Sequence, residues 1–172
     1  MYDEILYPTD GSSGSEAAAE HVREIASAFD ATVHVLYVVD ARHLGFGMSG
    51  DHHSEEGPGM TGAHIVGDEP GMIGDRLDAQ ETTEALVEQG REFVERAAAN
   101  FEGMDTEPTV VTGNPHASIL EYVDDHDIDL VVMGTHGRTG VDRYLLGSVT
   151  EKVVRMSDAP VVTVRGDEGT GD

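Results

Sequence analysis

The sequence predicts a doubly wound α/β domain, a five-stranded parallel sheet flanked by helices. Three observations predict it. Five short apolar runs alternate with helical patterns along the 172 residues. The second run, from Val33 to Val39, is apolar at nearly every position, as a strand covered on both faces must be. Right-handed crossovers then turn a βαβαβαβαβ order into one parallel sheet.

The first strand is read over residues 5–9, with Pro8 near its end because proline cannot donate to a ladder. Asp10 and the cluster Gly11-Ser12-Ser13-Gly14 turn the chain into a helix whose Ala18, Val22, Ile25 and Phe29 make one apolar stripe. Ser13 and Glu16 have capping-box spacing at its start. Residues 32–39 form the second strand. The next helix is expected from near Leu77, with Leu86, Phe93, Ala97 and Phe101 on one face, and leads to a strand over 109–112. Gly113-Asn114-Pro115 opens a helix with Ile119, Leu120 and Val123 inward. Residues 128–133 and 160–164 supply the last two strands, and the helix between them carries Val149, Val153 and Met156 inward.

Residues 41–76 break this pattern. They hold nine of the 21 glycines, together with His43, His52, His53 and His64, and show no sustained periodicity. They read as a mobile insertion, with lid, partner arm and dispensable loop all open as uses. The expected organisation is a single domain over 1–165, interrupted at 41–76 and followed by a frayed tail over 166–172.

Composition narrows the function. Ten basic against 34 acidic side chains give a net charge of −24, which argues against a nucleic-acid or membrane-surface binder. Absent cysteine removes disulfides and thiolate metal sites and suits a reducing compartment. No apolar run approaches the roughly 18 residues of a spanning helix, and the start does not read as a signal peptide. A cytoplasmic protein is expected. Lys152 is the sole lysine, and such acidity fits a salt-adapted (halophilic) chain whose self-repulsion is screened by concentrated salt.

In doubly wound sheets, ligands bind beyond the carboxyl ends of the strands, where strand order reverses. The informative loop follows the fourth strand, from Gly134 to Ser148. Its glycines let backbone approach an anion, and the helix beginning at Ser148 would turn its positive end toward one. Ser148 and Glu151 again have capping-box spacing. Residues 134–155 carry four cations (Arg138, Arg143, Lys152, Arg155) against two anions, locally positive in a strongly acidic chain. The competing reading is that these arginines merely pair with acids.

The spacing Gly134-x2-Gly137-x9-Gly147-Ser148 resembles the nucleotide-binding signature of the universal stress protein family, in its ATP-binding branch. Tyr7-Pro8-Thr9-Asp10-Gly11-Ser12 is similar to that family's first strand and loop, Gly113-Asn114-Pro115 to its loop after the third strand, and Ala159-Pro160-Val161-Val162-Thr163-Val164 to its closing strand. The resemblance implies a Rossmann-like, adenine nucleotide alpha hydrolase-like fold. It places Pro8, Thr9 and Asp10 near adenosine, the backbone of Val39 on adenine, and Met133, Gly134, Gly137 and Arg138 around ribose and phosphates. Gly147, Ser148, Val149 and Thr150 would receive phosphate at the helix start. It further implies ATP (or AMP or ADP) as ligand, Mg2+ or Mn2+ on the phosphates, and a homodimer formed through residues 160–164.

Each role has a structural competitor. Asp10 also suits a turn, Val39 the core, Ser148 an ordinary cap and Arg138 an ion pair. His136 suits a phosphate contact or, less well, acid–base chemistry. Asp51, His52, His53 and Glu55 have metal-binding chemistry, but their glycine-rich setting favours a solvated loop. As to function, a nucleotide-binding stress module stands first. A slow ATPase and a nucleotide-free scaffold are the alternatives, since the loop lacks the lysine of G-x-x-x-x-G-K-[ST] and no acid–base pair stands out. A phospho-acceptor receiver domain is excluded, because Thr112-Gly113 and Val164-Arg165 stand where its aspartate and lysine belong.

Overall fold

Five parallel strands lie in the order β3-β2-β1-β4-β5. The computed structural model describes residues 1–40, 74–136 and 146–166, with backbone alone over 74–81. The strands are β1 (Glu4–Pro8), β2 (Thr32–Asp40), β3 (Thr106–Gly113), β4 (Leu130–Gly134) and β5 (Val161–Val164). The helices are α1 (Ser13–Phe29), α2 (Gly74–Ala98), α3 (Pro115–Asp125) and α4 (Ser148–Met156). Helix α2 thus begins inside the stretch read as insertion, and the rest of that stretch lies outside the described residues.

Alternation along the strands divides the core in two. Ile5 and Tyr7 of β1 face one way, with Val33, Val35 and Val132, against Ala18, Val22 and Ala26 of α1 and Val94 of α2. Leu6 faces the other way, with Leu36, Val131 and Met133, against Ile119, Tyr122 and Val123 of α3 and Val153 of α4. Both faces of the central strands are therefore dry, as expected of apolar runs.

Several local readings shift. Helix α1 is capped by Ser12 rather than Ser13, its Oγ accepting from Ser15 N at 3.3 Å. Strand β3 starts three residues earlier than read, at Thr106, because it is an edge strand and so admits Pro108 opposite Val35. Strand β4 begins at Leu130 rather than at residue 128. Met156, expected inward, is 62% exposed at the end of α4, and Phe29 is exposed at the end of α1, where it packs edge-on against Tyr2. Leu120 is only half-buried, and Tyr122 takes the inward position.

A buried histidine fastens the amino end of the sheet. His34 on β2 sits with Nε2 2.7 Å from Glu4 Oε2 and Nδ1 3.0 Å from the Tyr122 hydroxyl. Burial pushes the Tyr122 phenol above its ordinary range, and Glu107 and Glu4 push the same way.

Candidate functional site

Strand order reverses between β1 and β4, so the crevice lies where their carboxyl ends meet the starts of α1 and α4. The β1 side is a compact hydrogen-bonded turn. Asp10 Oδ1 accepts from Ser12 N at 3.0 Å, and Gly11 adopts φ 73°, a left-handed value that favours glycine. Asp10 therefore does form the turn, on the crevice side of the sheet. Buried Thr9 donates from Oγ1 to Ser15 Oγ at 3.2 Å, and the Tyr7 hydroxyl donates to Ser15 O at 2.8 Å. Desolvation, the larger cause, holds the Tyr7 phenol above its ordinary range. Pro8 closes the strand opposite Leu36, as the sequence predicts.

On the β4 side, three successive carbonyls are each engaged by a different group. Gly134 O accepts from the Thr150 hydroxyl at 2.9 Å, Thr135 O from Gly147 N at 2.8 Å, and His136 O from the Ser12 hydroxyl at 3.2 Å. The last bond stitches the β4 loop to the cap of α1. Close packing tightens the same junction: a Cβ on Gly134 would lie 2.6 Å from Gly14 C and 2.8 Å from Ser15 N. Gly134 is thus required by the approach of helix to strand, independently of any ligand. Met133 is buried in the α3–α4 half of the core.

Helix α4 opens with Gly147 as its cap, at φ −58° and ψ 149° and with no side-chain cap bond. The capping box expected from Ser148 and Glu151 does not form. Ser148 is already the first helical residue and is exposed, because Gly147 supplies the carbonyl that Glu151 N reaches at 2.8 Å. The amides of Ser148, Val149 and Thr150 precede that first bond and have no acceptor within the helix. Val149 packs partly buried against the core, and Thr150 is only 3% exposed. Of the cations counted nearby, Arg155 pairs with Glu151 at 3.3 Å, so the competing reading is right for that arginine. Gly137, Arg138 and Arg143, and the group from Asp51 to Glu55, lie outside the described residues. His136 Nδ1 lies 3.0 Å from Thr135 Oγ1.

On β2 the sequence reading needs a one-residue correction. Strand β1 ends opposite Leu36, whereas β2 continues to Asp40 along β3 alone. Thr9 N donates to Leu36 O, so Leu36 turns its backbone groups toward β1. These groups alternate sides along a strand. Those of Val38 therefore face the crevice, and those of buried Val39 face β3. Composition alone cannot phase a period of two.

A hollow of about 540 Å³ lies elsewhere, at the amino ends of β4 and β5, lined by Asp124, Asp127, Asp129 and Asp158 among others. Four carboxylates would repel an anion, and this hollow is not the crevice just described. Among the described residues, no helix is long and apolar enough to cross a membrane.

Fold and site together define a doubly wound α/β protein with the start of a helix set at its topological switch point. The model of the universal stress protein family matches residues 1–165, and the chain belongs to that family. It is similar to universal stress protein MJ0531 of Methanocaldococcus jannaschii, at 32% identity over 96% of this chain and 83% of that one. It is likewise similar to universal stress protein MJ0577 of the same organism, at 30% identity over 96% of each chain. A solved structure of MJ0577 superposes with a TM-score of 0.75 at 29% identity, covering 96% of both. An Arabidopsis thaliana universal stress protein family protein, solved with AMP bound, shares the fold at 18% identity with a TM-score of 0.56, covering 96% of this chain and 93% of that one.

Proposed function

We propose that this chain is an ATP-binding universal stress protein, a nucleotide-binding module that acts as a dimer without efficient turnover. The observation that carries the reading is the start of α4. Three amides without helical acceptors, at Ser148, Val149 and Thr150, stand at the positive end of a helix fastened to the carboxyl end of β4. Phosphate oxygens suit such a terminus. Adenosine would lie toward Asp10 and the Val38 backbone, and the loop through Gly137 and Arg138 would cover ribose and phosphates. The AMP-bound relative of the same fold supports the adenine class. A Mg2+ or Mn2+ ion would be held by the phosphate oxygens, which suit a hard cation. The dimer would form along β5, an edge strand whose Val162 is 38% exposed.

Calorimetric titration with ATP, ADP and AMP in concentrated KCl, paired with a phosphate-release assay, tests this. Saturable binding with negligible release is expected. Sustained release would replace the module by an enzyme, and absence of binding would leave a scaffold.

A further inference from the structure

We infer that Thr150 is a positioning residue that makes the crevice favour phosphorylated over unphosphorylated nucleoside, acting through the Gly134 carbonyl; this rests on the nucleotide-binding reading. The resemblance puts Thr150 among phosphate ligands, yet its side chain is buried and its hydroxyl is already engaged. It donates at 2.9 Å to Gly134 O, sixteen residues back in the chain. A threonine inside a helix often returns its hydroxyl to a carbonyl of the preceding turn, but Thr150, in the first turn of α4, has no such turn behind it. Here it reaches across to the end of β4 instead. Thr150 is buried, and valine has nearly the same shape and size, so packing alone does not require a hydroxyl at this place.

The bond determines where the helix start sits. Thr150 lies in the first turn of α4, before the first intrahelical bond from Glu151 N to Gly147 O. Tying that turn to β4 fixes the amides of Ser148, Val149 and Thr150 relative to the strand end. It also engages a carbonyl oxygen whose negative end would otherwise oppose an anion. The Thr135 and His136 carbonyls are engaged in the same way, by Gly147 N and Ser12 Oγ. Without the hydroxyl, the Gly134 carbonyl loses its partner and the helix start is free to shift. Phosphate affinity should therefore fall, whereas adenosine, held at the β1 and β2 ends, should not notice.

Wild type, Thr150→Val and Thr150→Ser are titrated with ATP, AMP and adenosine. In Thr150→Val, affinity for ATP and AMP should drop about tenfold, the typical consequence of losing one buried hydrogen bond, with adenosine unchanged within about twofold. Thr150→Ser keeps the hydroxyl and should stay near wild type. Unchanged ATP affinity in the valine variant, an equal loss for adenosine, or a serine variant as weak as valine would each overturn the inference. Were Thr150→Val to fold poorly, Thr150→Ala gives the same readout and the same overturning outcomes. Wild type that binds none of the three ligands would defeat the nucleotide reading itself, a result distinguishable from wild-type binding with no phosphate-specific loss.

Discussion

Replacing Gly134 by alanine tests the junction on which the crevice depends. The added Cβ would sit 2.6 Å from Gly14 C, 2.8 Å from Ser15 N and 2.9 Å from Gly14 O, all backbone atoms of the first turn of α1. None can rotate away. Restoring ordinary contact at about 3.4 Å requires the helix start to retreat by ~0.8 Å, in a core packed as densely as an organic crystal. That retreat strains the bond from Tyr7 Oη to Ser15 O and the bond from Ser12 Oγ to His136 O. Overpacking typically costs about 1–3 kcal/mol, and immovable partners put this substitution near the upper end. At about 2–4 °C per kcal/mol for a chain of this size, the melting temperature should fall by roughly 6–12 °C. Gly103→Ala serves as the control, since nothing lies within 4 Å of its Cβ and only its φ of 89° opposes a side chain. It should cost about 1 kcal/mol. Thermal melts followed by circular dichroism decide the matter. A Gly134→Ala melt within 2–3 °C of wild type, or no lower than that of Gly103→Ala, would refute the reasoning.

Four further outcomes are expected. Gly147→Glu should fold normally, because the φ of −58° suits any residue, but should lose ATP binding in calorimetry through the carboxylate set at the helix start. Val162→Asp should give a monomer in light scattering, because a charge on the β5 edge opposes strand pairing. Asp129 accepts from the backbone amides of Asp3 at 2.8 Å and Glu4 at 3.1 Å, which holds its carboxyl below the ordinary range. Its stabilising contribution is complete above about pH 4 and fades as pH falls through the lowered folded value. Asp129→Asn should thus be less stable than wild type in urea at pH 7, with the difference shrinking below about pH 4. A net charge of −24 should make the urea midpoint rise with KCl concentration; a flat response would remove the salt-adapted reading.

The sheet was readable because its strands carry their own phase. Ile5, Leu6 and Tyr7 alternate between two cores, and a run such as Val33 to Val39, apolar at nearly every position, suits a strand covered on both faces, as in a parallel sheet. What escaped the reading depends on neighbours. Pro108 suggests a break until β3 is known to be an edge, and Met156 continues a helical stripe yet stays exposed at the helix end. Within the site, the Gly147-Ser148 pair marked the helix start correctly, yet not which residue caps it. Whether Val38 or Val39 turns its backbone to the crevice follows only from the bond between Thr9 N and Leu36 O. The role of Thr150 was hidden for a similar reason, because its partner lies sixteen residues away on another element. Gly14 facing Gly134 gave a partial signal, two small residues where helix and strand must approach closely.

A crystal structure of the full chain grown with ATP in concentrated salt examines the phosphate position itself. The expected result is phosphate oxygens within hydrogen-bond distance of the amides of Ser148, Val149 and Thr150, with adenine beside Val38. A crevice filled by protein side chains, or nucleotide bound away from the start of α4, would contradict it.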